Sequence, residues 1–244
     1  MRIAVVAFVF SLSLAGAAFS QEGARLEPAN NNVANVGSLQ RGAKYFVNYC
    51  LGCHSAKYVR YNRMAADLQI TEKQLIENLM FTGERPFDTM ANAMRPEDSV
   101  RWFGRSPPDL SLMARARGND YIYTFLHSFY SAPNRPTGVD NLVLPGTAMP
   151  HVLWKLQGVQ KAVYKTDAEH GGAQEFDKFE SIRPGDLSAE EYDNVVRDIV
   201  NFLDYIGGPI KMQRQQLGIR VIGFLLVFLL IAYMLKREIW KDVH

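Results

Sequence analysis

The sequence predicts a mainly α-helical domain with long irregular loops, followed by a single C-terminal membrane helix. Apolar residues recur at helical spacing in several segments, and glycine and proline interrupt the chain between them. One uninterrupted apolar stretch stands near the C-terminus. No run of alternating apolar and polar residues indicates a sheet. With 244 residues and 48% apolar composition, the chain is long enough for one domain with membrane segments attached.

Both ends of the chain carry membrane signals. Residues 1–20 begin with one basic residue, continue as a short apolar run and finish in small residues, which is the layout of a secretory signal peptide. Cleavage after Ala17 and cleavage after Ser20 both fit this layout. An uncleaved anchor is the alternative, but the run is short for a span of about 20 residues. Residues 217–235 are apolar apart from Arg220, whose side chain can reach the interface, and they predict one transmembrane helix.

The orientation of the predicted span follows from the N-terminal signal. Three basic residues precede the apolar core and three follow it, so the flanking charges do not decide the orientation. A signal peptide sends the segment before the span outward. We therefore expect residues 21–216 to form a periplasmic domain of a bacterial inner-membrane protein, with residues 236–244 as a cytoplasmic tail.

Five helical segments can be placed within residues 21–216, of which the shortest is SLMARA, residues 111–116. A helix capped by Ser38 is expected to lead directly into residues 50–54, and a second helix covers residues 71–81. A third covers 119–131, and a fourth begins with the capping box of Ser188 and Glu191 and ends before Gly207. Residues 91–108 read as a loop or short helix, and residues 132–146 as an irregular loop because they are rich in proline and glycine.

Both cysteines of the chain lie in the motif CLGCH, residues 50–54. A structural zinc site needs about four ligands, and no second Cys or His pair is present to complete one. A thioredoxin-like redox pair is expected between a strand and a helix, whereas a helix precedes this motif. Covalent haem attachment accounts for every residue, because Cys50 and Cys53 can bond the two vinyl groups while His54 ligates the iron. The sequence thus predicts one haem c.

The second axial ligand of the iron is predicted to be Met149. It lies in the irregular segment LPGTAMP, where a side chain can point inward without a helix constraining it, whereas most other methionines fall within helical patterns and read as core residues. His151 is the alternative ligand. No further cysteine is available to hold this loop by a disulfide, so its position is expected to depend on packing.

Several motifs in order along the chain resemble the cytochrome c1 family. These are Arg41-Gly42 before CLGCHS, PPDLS at 107–111, ARARG at 114–118, DYIYTFL at 120–126, PTGV at 136–139, AMP around Met149 and a C-terminal span ending in MLKREIW. The resemblance implies a cytochrome c-like haem domain in which Arg117 contacts a haem propionate and Pro107, Pro108 and Tyr121 line the haem crevice. A surface arginine is the alternative for Arg117.

The resemblance also implies a function. Cytochrome c1 is the haem subunit of the bc1 complex, so this chain is expected to accept an electron from a Rieske iron-sulfur protein and pass it to a c-type cytochrome. It is expected to lie beside cytochrome b in a dimeric complex. As a stand-alone chain it needs no nucleophile or general base, and the sequence suggests none. A membrane-anchored cytochrome c subunit of a terminal oxidase and a peroxidase with an open iron site are the alternatives.

The charge of the chain argues against a nucleic-acid partner and allows a basic cytochrome as a partner. The net charge is only +2, from 27 basic and 25 acidic side chains, and no basic run suggests a nucleic-acid groove. A group of acidic residues is read as part of a solvated loop, although it also suits attraction of a basic cytochrome. Its members are Asp167, Glu169, Glu175, Asp177 and Glu180.

Overall fold

The structure is a computed structural model that describes residues 25–167 and 173–241. The predicted signal peptide, residues 1–20, lies outside the described residues, as do Glu169 and the last three residues of the predicted cytoplasmic tail.

Helices dominate the described residues, and four short and two long strands lie between them. The helices are α1 Val36–Tyr45, a π-helix Phe46–Cys50 that continues it, α2 Tyr61–Asp67, α3 Glu72–Asn78, α4 Pro96–Phe103, α5 Met113–Arg117, α6 Asn119–His127, α7 Trp154–Gln157, α8 Ala189–Gly207 and α9 Lys211–Ile239. The strands are β1 Ala56–Arg60, β2 Thr89–Met90, β3 Phe129–Ser131, β4 Val139–Asn141, β5 Gly158–Asp167 and β6 Ala173–Pro184. They pair as three antiparallel ribbons, β1–β2, β3–β4 and β5–β6. The predicted fold class, mainly α with one C-terminal apolar helix, is confirmed.

The crossing of α1 and α8 lies at the centre of the core. Gly42 makes it possible, because a Cβ at this position would lie 2.1 Å from the main-chain oxygen of Asp198 and 2.7 Å from Cβ of Phe202. At the edge of the crossing, Ser38 Oγ and Arg41 Nε each donate a hydrogen bond of 2.6 Å to the carboxylate of Asp198. This contact fixes the direction in which α1 approaches the cysteine motif.

We expect the substitution Gly42→Ala to lower the free energy of unfolding by about 3 kcal/mol, because the added methyl group overlaps main-chain atoms of α8 that cannot move aside. Denaturant unfolding of the full chain in detergent, followed by circular dichroism, measures the change. Gly37→Ala on the same helix is the control. Its Cβ would lie 3.5 Å from Asn35 Oδ1, an ordinary contact. Equal losses in both variants would contradict the crossing argument.

The structure contains the N-terminal cap predicted for α8 but not the one predicted for α1. Ser188 and Glu191 form the predicted capping box, with Glu191 N donating to Ser188 Oγ (3.3 Å) and Ser188 N donating to Glu191 Oε2 (2.8 Å). The predicted cap at Ser38 is wrong. Asn35 is the N-cap of α1, and its Oδ1 accepts from Ser38 N (3.1 Å). Ser38 lies inside the first turn because its hydroxyl is buried against Asp198.

Two predicted helices are shorter in the structure. The helix predicted over 119–131 ends at His127, because Phe129–Ser131 pairs with Val139–Asn141. The same pairing places a short strand inside the segment 132–146, which the sequence indicated to be irregular throughout. The helix predicted over 71–81 occupies Glu72–Asn78, and the segment 91–108 contains a short helix, α4.

Strands β5 and β6 form a long antiparallel hairpin that the sequence analysis did not predict. The expectation of a loop around the acidic residues is therefore wrong: Asp167, Glu175, Asp177 and Glu180 all lie on the strands. Lysines within the hairpin neutralise part of this charge. Glu180 pairs with both Lys161 (3.0 Å) and Lys178 (3.2 Å), and Asp177 pairs with Lys165 (2.5 Å).

Helix α9 is the predicted membrane segment. Residues Leu217–Ile239 form a helix long and apolar enough to cross a membrane. Its most apolar 18 residues have a mean hydropathy of 2.4, and none of them is buried inside the protein. A helix of 23 residues is about 34 Å long, which matches the ~30 Å hydrocarbon core of a bilayer. The helix begins six residues before the predicted start of the span, at Lys211.

Candidate haem site

The cysteine motif begins at Cys50, the last residue of the π-helix that continues α1. Leu51 N donates to the carbonyl of Phe46 (2.9 Å), five residues earlier, so this hydrogen-bonded turn contains one residue more than a turn of an α-helix. Cys53 N (3.1 Å) and His54 N (2.8 Å) then both donate to the carbonyl of Cys50. This tight turn places two thiols and one imidazole on a segment of five residues at the end of a rigid helix.

The two thiols are free and have raised pKa values. Burial, with a smaller contribution from the charge of Cys53, raises the pKa of Cys50 to about 12, and burial also raises the pKa of Cys53. Cysteines that exchange disulfides have the opposite property, a lowered pKa that favours the thiolate. Burial therefore favours the neutral thiols over the thiolates at this site.

His54 is oriented by a main-chain carbonyl. Its Nδ1 lies 2.7 Å from the carbonyl oxygen of Pro108, and because that oxygen can only accept, Nδ1 carries the proton. Burial lowers the pKa of His54, although the hydrogen bond to Pro108 acts in the other direction. A neutral imidazole held in this way presents an unprotonated Nε2, which is the arrangement of a metal-ligating histidine with a supporting partner.

The segment 107–111 is fixed beside β1 by its own side chains. Asp109 accepts from Lys57 N through Oδ2 (3.0 Å) and from Ser111 N through Oδ1 (2.8 Å). Ser111 Oγ accepts from Tyr58 N (3.1 Å). The residues that follow His54 are thus bonded to the residues that follow Pro108. Because both sides of the His54–Pro108 hydrogen bond are anchored, the imidazole has a fixed orientation.

Asn92 supports the motif from the other side, and the sequence analysis missed it. Its Nδ2 donates to the carbonyl of Cys53, its Oδ1 accepts from Ser55 Oγ (3.0 Å), and its main-chain N donates to the same hydroxyl (3.0 Å). No sequence pattern marks this residue, because it lies 39 positions after Cys53 in an irregular segment. For Asp109 a signal does exist, since Asp-x-Ser is the pattern of a side chain that bonds the main chain two residues on.

The predicted crevice residues fall into two groups. Pro108 contacts His54 through its carbonyl, and Pro107 precedes it in the same anchored segment. Arg117 at the end of α5 and Tyr121 in the first turns of α6 form a second group, with the guanidinium carbon 5.3 Å from the ring centre. Among the ion pairs of the described residues, none involves Arg117. Its charge is therefore available to an external carboxylate.

Hydrogen bonds hold the loop that carries Met149. Asn141 Oδ1 accepts from the main-chain N of Val143 (2.9 Å) and Leu144 (3.1 Å), while Asp140 Oδ1 accepts from Gly146 N (2.7 Å). Met149 itself is half-buried and packs against the core. The expectation that packing alone positions this loop is therefore incomplete, because the turn before Met149 is built on two polar side chains.

His151, the alternative ligand, is a buried core residue. Only 8% of it is exposed, and its ring stacks on Phe129 with a centroid distance of 5.0 Å and an interplanar angle of 5°. Burial lowers its pKa to about 4, although Gln157 and Gly158 favour the protonated ring. The imidazole is thus neutral at physiological pH, and its stacking anchors the chain two residues after Met149.

Comparison with known proteins identifies the family. Residues 31–243 match the sequence profile of the cytochrome C1 family. The chain belongs to the cytochrome c1 family. Family membership makes it an electron-transfer haem subunit of the bc1 type with one covalently bound haem c, and it agrees with the resemblance of the sequence motifs.

Three relatives illustrate the range of this family. A cytochrome c1 from Allochromatium vinosum is 46% identical over 244 residues, which is all of both chains. The ammonia monooxygenase gamma subunit of Nitrosomonas europaea is 42% identical over 220 residues, 90% of this chain and 89% of that one. A cytochrome b/c1 from Bradyrhizobium diazoefficiens is 26% identical over 285 aligned residues, covering 99% of this chain and 40% of that protein.

The residues at the cysteine motif suit the haem c of this family. The hydrogen bond of His54 tests this fit. Its Nδ1 is bonded to Pro108 O, so Nε2 remains available to a metal. The structure therefore brings Cys50, Cys53, His54 and the 107–111 segment together. Among the described residues, no hydrogen bond joins the Met149 loop to the motif, and Met149 and Tyr121 instead share packing against the same core.

We expect Asp109→Ala to lower the free energy of unfolding by about 1–3 kcal/mol, because two main-chain N–H groups lose their acceptor. Burial acts to raise the pKa of Asp109, but hydrogen bonds from Ser111 and Lys57 outweigh it and hold the pKa below its usual value. The difference between wild type and variant should therefore be full at neutral pH and shrink as the pH falls through that lowered pKa.

Asp98→Ala is the matched control for this measurement. Asp98 forms ion pairs with Arg95 and Arg101, each at 3.0 Å, at the protein surface. Such pairs contribute about 0–1 kcal/mol. Denaturant unfolding of the full chain at several pH values compares the two variants. A loss for Asp109→Ala no larger than that for Asp98→Ala would contradict the anchoring role.

Proposed function

We propose that Cys50 and Cys53 form the two thioether bonds to haem c and that His54 and Met149 ligate its iron. Bound haem supplies a single iron centre that alternates between the ferric and ferrous states. The observation that carries this assignment is the hydrogen bond from His54 Nδ1 to Pro108 O, which fixes the tautomer that a haem ligand requires.

The surrounding residues set the environment of the cofactor. Pro107, Pro108 and Tyr121 line the crevice, and Arg117 pairs with a propionate. The cation–π contact with Tyr121 supports this role, because it fixes the guanidinium without neutralising it. Asn92 and Asp109 orient the motif and exclude alternative positions of His54. The chain thus contributes ligation, orientation and burial, and no side chain acts as an acid, base or nucleophile.

In the proposed reaction the chain accepts one electron from a Rieske iron-sulfur protein and passes it to a c-type cytochrome. Cytochrome b is the partner of α9 in the membrane, and the complex is dimeric. The family profile and the name of the Bradyrhizobium relative, cytochrome b/c1, support the cytochrome b partner. Residues 21–216 form the periplasmic domain after removal of the signal peptide 1–20, residues 217–235 span the inner membrane, and residues 236–244 lie in the cytoplasm.

Purification of the tagged full chain from its own membranes tests this function. Cytochrome b and a Rieske protein should co-purify with it, quinol should reduce its haem c, and a soluble c-type cytochrome should then reoxidise it. The name of the Nitrosomonas relative points to a different complex. Co-purification with monooxygenase or terminal-oxidase subunits in place of cytochrome b would overturn the proposal.

A further inference from the structure

A basic cavity lies where the haem domain joins the membrane helix. It has a volume of about 290 Å³ and is formed by the end of α5, the end of α8 and the start of α9. Three cationic side chains line it, Arg115, Lys211 and Arg214, together with one carboxylate, Asp204. The cavity is near the lower end of the ~300–1,000 Å³ range of small-molecule sites.

The single carboxylate of the cavity is already satisfied by other donors. Asp204 accepts from Lys211 Nζ at both oxygens (3.0 and 2.8 Å), and its Oδ2 also accepts from Asn31 Nδ2 (3.1 Å) and Asn119 Nδ2 (3.1 Å). Lys211 and Asp204 therefore neutralise each other inside this network.

The other two cations of the cavity form no ion pair within residues 25–167 and 173–241. No ion pair or side-chain hydrogen bond involves Arg115 or Arg214 in the part of the chain that the structure describes. Glycines let them approach the main chain: a Cβ at Gly207 would lie 3.3 Å from Arg115 Cγ, and a Cβ at Gly208 would lie 3.9 Å from an amino nitrogen of Arg214. The cavity thus presents two uncompensated guanidinium groups, which suit a phosphate.

The depth of the cavity relative to α9 identifies the source of the phosphate. Arg214 precedes Leu217, the first residue of the apolar span, by three residues, and Lys211 precedes it by six. At 1.5 Å per residue these positions lie about 4.5 and 9 Å from the start of the span. The headgroup layer occupies about 5–8 Å on each side of the hydrocarbon core. We therefore expect Arg214 and Lys211, on the α9 side of the cavity, to lie close to the level of lipid phosphates.

We propose that this cavity binds the headgroup of an anionic phospholipid in the outer leaflet, with Arg115 and Arg214 contacting the phosphate. The inference rests on membrane anchoring through α9 and on the proposed periplasmic orientation, and it is independent of the electron-transfer partners. A bound headgroup would neutralise the two guanidinium groups and attach the base of the haem domain to the bilayer.

Native mass spectrometry of the full haem-loaded chain in a neutral detergent tests the site. Phosphatidylglycerol should bind more tightly than phosphatidylethanolamine, which has no net charge. The double variant Arg115→Gln, Arg214→Gln should weaken phosphatidylglycerol binding about twenty-five-fold, from about fivefold for each basic group at an anionic lipid surface. The control is Arg220→Gln, which removes one charge from α9 outside the cavity, as Arg214→Gln alone does within it, and should change binding less than twofold.

Each other outcome overturns the proposal. Equal binding of the two lipids, or an equal loss in Arg220→Gln, would show general surface attraction. Complete displacement of the lipid by millimolar inorganic phosphate would show a site for free anions. Unchanged lipid binding with lost cytochrome b association would show a contact with a partner protein. An unchanged haem spectrum in these variants separates all three outcomes from a failure of the electron-transfer role. If the double variant does not fold, the single variant Arg214→Gln, at an exposed side chain, tests the site in its place.

Discussion

The substitution His54→Ala is expected to abolish stable low-spin haem in the full chain. The imidazole is the proposed ligand on one face of the iron, and its orientation depends on a single hydrogen bond to Pro108 O at 2.7 Å. Changes to such supporting partners alone cost about 10–100-fold in metal affinity or activity, so loss of the ligand should exceed that range. Visible absorption of the purified protein and its rate of reduction by quinol in membranes measure the effect.

His151→Gln is the matched control for His54→Ala. It also removes an imidazole, but from a ring that stacks on Phe129 outside the cysteine motif. We expect the low-spin spectrum to persist in this variant, with a modest loss of thermal stability because a buried ring is lost. A normal spectrum in His54→Ala combined with a high-spin spectrum in His151→Gln would reverse the ligand assignment.

The second large effect is expected for Met149→Leu, which should lower the reduction potential of the haem. A thioether ligand raises the potential, and leucine fills a similar volume without supplying sulfur. The fall should be on the order of 0.1–0.3 V, a fraction of the ~0.8 V range that axial ligation covers. An equilibrium redox titration of the full chain, followed by visible absorption, measures it.

Met113→Leu is the control for the potential. Met113 begins α5 and is also half-buried against the core, so the variant makes the same chemical change at a position without a proposed iron bond. Its potential should match that of the wild type. An unchanged potential in Met149→Leu would exclude Met149, and His151 would then be the remaining candidate on this loop.

The haem-attachment motif could be predicted from the sequence because all of its reactive side chains lie within five consecutive residues. CLGCH contains both thiols and the imidazole, and no rival ligand set is present elsewhere. The support of His54 could not be predicted in the same way. Its partners are a main-chain carbonyl 54 positions later and the side chains of Asn92 and Asp109, whose positions depend on tertiary packing.

The β5–β6 hairpin was missed for a different physical reason. Sequence recognition of strands depends on alternation between a buried and an exposed face. Here the register shifts at Val159/Gln160 and again at Val163/Tyr164, and the side chains described on both faces remain at least partly exposed. The apolar and polar residues therefore do not alternate regularly.

The N-cap of α1 could not be predicted because two nearby residues, Asn35 and Ser38, are both suitable caps. Burial of the Ser38 hydroxyl against Asp198 decides between them.

The hydrogen bonds of Asp204 have a mechanical consequence. Lys211, the first residue of α9, is bonded to Asp204 near the end of α8, and the same carboxylate also bonds Asn31 and Asn119. These side-chain contacts bridge the Gly-Gly-Pro segment between the two helices and restrict bending there. We therefore expect the proposed haem site to keep a constant height above the membrane surface.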